Sequence, residues 1–188
     1  TSGYSRNATS TAGATSPTCG QKFCDFDGGD YMTANATNVF NSASTSYAIK
    51  FTPDFSANAA TDRMFFDTHA TGRVLLDHRS DGGLGWRIGN TDLPTISLSS
   101  YQQYWKQSQE NIFIITGTTG NTKLYLNNTL ISTAVTAWSA GNPSYIKIGA
   151  YNSGLYPFDG KIHYFKVWNR LLTNNEVAII SADRTTNE

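Results

Sequence analysis

The residues best suited to chemistry in this chain are aromatic rings and planar polar groups set among glycines. Tyr151, Asn152 and Tyr156 fall in a stretch punctuated by Gly149, Gly154 and Pro157, which marks a loop at the rim of the fold. Trp86 follows the turn Ser80-Asp-Gly-Gly-Leu-Gly85, and His69 and Arg73 flank another turn. An aromatic face can stack on the C–H side of a pyranose, and an amide or guanidinium can hold two neighbouring hydroxyls at once. His69, Arg73, Trp86, Tyr151, Asn152 and Tyr156 are therefore the expected ligand contacts, on rim loops at 67–73, 80–87 and 150–159. Trp105 with Tyr101 and Tyr104, and Trp138, are further loop aromatics. Trp168 continues a strand and is expected to pack. For His69 and Arg73 a solvated turn pair is the plainer account.

A second chemistry belongs to the acidic residues. Asp25, Asp27, Asp30 and Asp159 are hard oxygen ligands beside glycine turns. They would suit one structural Ca²⁺, with Asp27 and Asp159 the better pair. Acidic residues in turns also bond their own backbone, and Asp81 before Gly82-Gly83 is read that way. Cys19 and Cys24 are the only cysteines. A disulfide between them would close a small loop, worth about 2 kcal/mol by loop entropy, and would fit an oxidising compartment. A zinc half-site is the alternative, but no second pair stands at ligand spacing, because His69, His78 and His163 are scattered. Sequons at Asn7, Asn35 and Asn127 permit glycosylation in a eukaryotic secretory route, and equally arise by chance in an Asn- and Thr-rich chain.

The elements that must position these groups are mostly strands. Tyr47-Ala-Ile-Lys-Phe-Thr52 alternates, with Tyr47, Ile49 and Phe51 on one side. Arg63–Asp67 and Arg73–Asp77 flank a turn. Asn111-Ile-Phe-Ile-Ile-Thr116 is apolar on both faces, as an inner strand requires. Lys123–Leu126 and Thr129–Ser132 form a hairpin across Asn127-Asn128. Tyr145–Gly149 and Lys161–Trp168 are the last strands. Thr173 and Glu176 then make a T-x-x-E capping box at the start of one short helix that buries the Val177–Ile180 stretch. About a dozen short strands and one late helix predict two packed antiparallel sheets.

The 188 residues are expected to form a single domain over 1–188, with residues 1–22 an irregular N-terminal edge. The chain starts at Thr1 without Met, as a processed product would, so a targeting segment is expected to be missing. Net charge is zero and no basic stripe exists, which argues against nucleic acid. No apolar stretch approaches the ~18 residues of a membrane-spanning helix.

Four segments in order carry a family resemblance: Asp25-Phe-Asp-Gly-Gly-Asp-Tyr31, Lys123-Leu-Tyr-Leu-Asn-Asn-Thr-Leu-Ile131, Ile146-Lys-Ile-Gly-Ala150, and Phe158-Asp-Gly-Lys-Ile162 with Val167-Trp-Asn-Arg-Leu-Leu-Thr173 and Glu176-Val177. Together, over residues 23–180, they resemble the laminin-G-like branch of the concanavalin A-like lectin/glucanase superfamily. The resemblance implies an all-β jelly-roll sandwich of two antiparallel sheets with one short C-terminal helix. His163 stands where many relatives carry an acidic residue, which weakens one calcium position.

The function this implies is a non-catalytic, lectin-like module for a glycan or glycosylated receptor. It would be secreted or displayed on a cell, fibre or virion surface, without membrane insertion, and multivalent in use. Glucan hydrolases of the superfamily need an E-x-D-x-x-E strand. The three glutamates here, Glu110, Glu176 and Glu188, do not provide it. A structural or assembly module is the first alternative. An alginate-lyase-like polysaccharide lyase is the second, suggested by Lys161-Ile-His-Tyr-Phe-Lys166. Simple strand alternation would set His163 and Tyr164 on opposite faces, against that lyase reading.

Overall fold

A computed structural model describes residues 16–40, 42–68, 73–89, 91–135 and 141–183. The strands are β1 (Thr18–Cys19), β2 (Cys24–Asp27), β3 (Met32–Asn35), β4 (Ser44–Pro53), β5 (Arg63–Thr68), β6 (Leu75–His78), β7 (Leu84–Ile88), β8 (Thr91–Asp92), β9 (Asn111–Thr118), β10 (Asn121–Leu126), β11 (Thr129–Ala134), β12 (Tyr145–Ile148) and β13 (Asp159–Trp168). A short helix α1 (Leu98–Tyr101) precedes β9, and α2 (Asn174–Ala182) closes the chain. One sheet has the order β1-β2-β13-β4-β9-β10-β11 and the other β3-β12-β5-β6-β7-β8. This is the expected two-sheet antiparallel jelly-roll sandwich, with α1 as a second short helix not read from the sequence.

The core between the sheets follows from period-two alternation. Tyr47, Ile49 and Phe51 of β4 meet Phe65 and Phe66 of β5, Leu76 of β6 and Trp86 of β7 in one cluster. Phe51 stacks on Phe113 with ring centroids 5.2 Å apart and meets Phe65 edge-on at 4.9 Å. The other face of β9 is also covered. Ile112 and Ile114 join Ala48 and Tyr125 in a second cluster under Leu172 and Val177. The capping box forms: Thr173 Oγ1 accepts from the Glu176 N–H, and Glu176 accepts from the Thr173 N–H. Of the apolar residues in α2, Val177 is buried while Ile179 faces water.

Gly160 shows why β13 needs a glycine. Its φ is +126°, and a Cβ there would sit 2.2 Å from the Thr52 carbonyl oxygen of β4. Three residues on, a bulge between Ile162 and Tyr164 breaks the register with β4. That bulge overturns the expected alternation. His163 Nδ1 lies 3.8 Å from Glu110 and Tyr164 packs in the second cluster, so both residues reach the outer face. Lys50 lies on the same face, 2% exposed, with its Nζ 2.9 Å from Glu110 and donating to the Asp183 carbonyl at 2.7 Å. The end of α2 thus closes over this cluster.

Cys19 and Cys24 form the disulfide, at the end of the β1–β2 hairpin. Among the described residues no helix is long and apolar enough to cross a membrane.

Candidate functional site

The site lies on the outer face of the six-stranded sheet. Leu76, His78, Leu84 and Trp86 point inward, so Leu75, Asp77, Gly85 and Arg87 point out, with Leu75 opposite Arg87 and Asp77 opposite Gly85. Met64 and Leu75 are buried but lie outside the core clusters. Together with Asp62, Arg63, Arg73, Arg79, Asp92, Tyr151 and Tyr156, and with Trp86 at its floor, they border a groove of about 390 Å³.

One wall is the loop between β12 and β13, held closed by its own backbone. Phe158 N–H donates to Gly149 at 2.7 Å, Tyr151 N–H to Leu155 at 2.9 Å, and Gly154 N–H to Tyr151 at 2.7 Å. Met64 N–H donates to the Tyr156 carbonyl at 2.8 Å, pinning the loop to β5. The Tyr151 and Tyr156 rings meet edge to face at 5.9 Å. Tyr156 is 45% exposed and offers the open aromatic face of the groove.

Beneath Tyr151 is a fixed ion pair. Asp67, 0% exposed, accepts from Arg73 Nε and Nη2, both at 2.7 Å, and from the Asn152 N–H at 2.9 Å. The Arg73 guanidinium carbon lies 4.4 Å from the Tyr151 ring centroid. Hydrogen bonding to Asp67 raises the Arg73 pKa further above its already high value, so the group stays charged. The Asn152 side-chain oxygen accepts from the Tyr145 hydroxyl. A strand carboxylate therefore organises an arginine, an aromatic ring and a loop amide at once.

The opposite wall is also made of paired charges. Arg79 donates to Asp77 at 3.3 Å and to Thr95 at 2.9 Å. Arg87 lies 3.2 Å from Asp92, and Arg63 lies 3.7 Å from Asp159. Burial raises the Asp77 pKa, opposed by Arg79. Gly85 makes room for this pair: a Cβ there would fall 2.1 Å from Asp77 Oδ1 and 2.5 Å from Arg79 Nη2.

The structure brings Arg73, Tyr151, Asn152 and Tyr156 together, and it places Trp86 at the groove floor but almost wholly buried. Trp86 is 1% exposed, inside β7, with its indole N–H donating to the Pro94 carbonyl at 3.0 Å. The alternation of β7 turns it into the core, so it offers no stacking face. Tyr101 and Trp105 are also buried. His69 and Trp138 lie outside the described residues. Asp67, Gly85 and Arg87 lie inside the expected rim stretches 67–73 and 80–87 without being singled out as contacts, and Asp77 and Arg79 lie outside those stretches. For Asp77 and Arg87 the signal was charge at strand positions alternating with the core residues.

Asp27 and Asp159 are cross-strand partners on β2 and β13. Asp27 Oδ1 accepts from the Gly29 N–H at 3.1 Å, and Asp159 faces Arg63. Among the described residues no group of three His, Cys, Asp or Glu is arranged to hold a metal. Asn127 commits its side-chain nitrogen to the Tyr104 carbonyl at 2.8 Å and its oxygen to the Ile112 N–H at 2.9 Å. That sequon therefore serves the hairpin, whereas Asn35 is exposed on β3.

A second concavity of about 540 Å³ opens between β3 and β13. It is lined largely by apolar residues such as Met32, Ile146, Ile162 and Phe165. Its polar members among the described residues, Asn35, His163, Lys166 and Asn169, are a minority of that lining.

A family model described as the Concanavalin A-like lectin/glucanases superfamily matches residues 26–178. Among solved structures, the receptor-binding domain of botulinum neurotoxin mosaic serotype C/D superposes with a TM-score of 0.72. It is 15% identical, over 95% of this chain and 46% of that one. A botulinum neurotoxin type C structure, of a toxin whose cell entry depends on interaction with two ganglioside molecules, gives 0.59 at 16% identity, covering 80% of this chain and 39% of that one. The heptameric SAP-like pentraxin from Limulus polyphemus gives 0.62 at 13% identity, covering 81% and 75%. The chain spans about half the length of the first of these toxin domains. At such identities the likeness is one of fold. No curated protein matches the sequence.

Proposed function

Since the chain belongs to the concanavalin A-like lectin/glucanase superfamily, we propose that it is a non-catalytic module that binds carbohydrate in the groove beneath Tyr151 and Tyr156. One observation carries the reading: an exposed tyrosine face stands over carboxylate–guanidinium pairs whose positions are already fixed. A ring supplies a surface for the C–H side of a sugar, and an acceptor beside a donor fits adjacent hydroxyls. The ganglioside dependence of the type C toxin supports a glycan as the kind of partner. The groove carboxylates are each tied to an arginine or to a backbone N–H, which supports binding over hydrolysis. The His163–Tyr164–Lys50–Glu110 cluster has acidic and basic groups on one face, but the nearly complete burial of Lys50 beneath α2 argues against a lyase site.

Binding at one such shallow site is expected at millimolar to micromolar Kd, so attachment gains from several copies on a larger assembly. The disulfide supports an extracellular or surface-displayed location. A glycan array tests the reading, with Tyr156→Ala as the control. Saccharide binding lost in the variant, with Tm unchanged, supports it. No sugar bound by the parent protein, together with concentration-dependent assembly, would favour the structural alternative.

One Ca²⁺ at Asp27 and Asp159 belongs to the same proposal. The two carboxylates would contribute part of a shell that needs six to eight oxygens. Calcium at about 100 times its Kd should then add about 2.7 kcal/mol, a Tm rise of roughly 5–10 °C. The rise should vanish in Asp27→Asn. An equal Tm in calcium and in chelator would remove the ion from the account.

A further inference from the structure

The charges of the groove specify the sugar more narrowly than its shape does. Anion recognition by arginine needs a guanidinium edge that is open to the ligand. Four arginines border this groove, and each already faces a carboxylate: Arg63 with Asp159, Arg73 with Asp67, Arg79 with Asp77, and Arg87 with Asp92. Asp62 is a fifth carboxylate at the rim, accepting from the Ser80 N–H at 2.7 Å. The described charges around the groove are therefore balanced with a slight acidic excess. The pairing at the centre is also not exchangeable. Asp67 grips Arg73 through Nε and Nη2 from a fully buried position, so a ligand carboxylate would have to displace an acid that cannot reach water.

From this geometry we infer that the groove selects neutral saccharides presenting adjacent hydroxyls and turns away sialylated or sulfated ones. The inference rests on the carbohydrate-binding reading above. An anionic sugar entering the groove meets carboxylates that already face each bordering arginine among the described residues, and pays desolvation without gaining a free cation among them. A neutral pyranose loses nothing of that kind. Its hydroxyls donate to Asp92 and to the accessible part of Asp77 and accept from the remaining guanidinium N–H groups, while its C–H face rests on Tyr156. The selectivity is thus opposite in charge to the gangliosides on which entry of the type C toxin depends.

The test is a panel of neutral oligosaccharides with galactose, mannose, glucose or N-acetylglucosamine termini, each alongside its sialylated and sulfated counterparts. Affinity would be measured at low and high sodium chloride. The expected result is a neutral ligand bound about tenfold or more tighter than its charged counterparts. Its Kd should change less than about twofold across roughly 50–500 mM salt, because no net ion pair forms. Asp77→Asn keeps the shape and unmasks the partly exposed Arg79. It should strengthen binding of the sulfated sugars by about two- to fivefold, and that gain should disappear in high salt. Preferential, salt-sensitive binding of charged sugars by the parent protein would overturn the inference while leaving the carbohydrate site standing. Binding of no saccharide at all would overturn both.

Discussion

Replacing Asp67 by Ala is expected to abolish saccharide binding and to destabilise the fold by about 3 kcal/mol, the lower end for breaking a buried ion pair. The cost sits at that end because the Arg73 side chain is 19% exposed and can be partly rehydrated. The loss of binding has a separate cause. Without Asp67 the Asn152 N–H and the Arg73 fork lose their common acceptor, so Tyr151 loses its support and the loop is tied to β5 through Met64 and Tyr156 alone among these contacts. Urea denaturation gives the first quantity and titration calorimetry the second. Asp67→Asn distinguishes them, since it keeps one acceptor for the loop amide but removes the charge under Arg73. An Asp67→Ala protein with unaltered affinity would show that the loop is positioned by something else.

Glu110→Gln should have a larger effect on stability, about 4–5 kcal/mol, and none on binding. It strips from Lys50, 2% exposed, the carboxylate 2.9 Å away. Lys50→Met is the informative partner. It removes the buried ammonium and leaves Glu110 at a position 19% exposed, so it should cost about 1 kcal/mol or less. Equal costs for the two variants would mean that the pair is not an asymmetric burial. At roughly 2–4 °C per kcal/mol for a chain of this size, Glu110→Gln should lose about 8–20 °C of Tm.

The same cluster makes stability depend on pH. Burial lowers the His163 pKa, with Lys50 and Lys161 adding to the effect and Glu110 opposing it. The unfolded chain therefore takes up the proton first. Stability contributed by His163 is complete above about pH 6.5 and declines as pH falls toward the lowered folded value. His163→Gln should flatten that part of a stability–pH curve.

Much of the fold was legible because its signals are local. The alternation at Tyr47, Ile49 and Phe51, the two-sided apolar run of β9 and the Thr173–Glu176 box all depend on neighbours within a few residues. The Phe158-Asp-Gly160 segment was recognisable as a pattern. The reason for its glycine, a close approach to the Thr52 carbonyl, needs the partner strand. Lys50 was illegible for a similar reason. Its strand position predicts solvent, and α2, far away in sequence, covers it. Trp86 failed in the opposite direction, because a glycine turn beside it looked like a loop while the strand after the turn carried it inward.

The candidate site was half legible. The rim loop with Tyr151, Asn152 and Tyr156 announces itself by Gly and Pro punctuation. The sheet face beneath it does not, since Asp77 reads from sequence as an ordinary polar strand residue and Arg79, just past the end of β6, as an ordinary surface charge. Their meaning depends on Gly85 lying opposite Asp77 and on Arg73 reaching back to Asp67.

Backbone amide resonances followed during titration with a neutral oligosaccharide would locate a saccharide seat on the outer face of the six-stranded sheet. Shifts are expected to concentrate at Met64, Asp77, Gly85, Arg87, Tyr151, Asn152 and Tyr156. Shifts gathered instead at Met32, Ile146 and Phe165 between β3 and β13, or no shifts at saturating sugar, would contradict that placement.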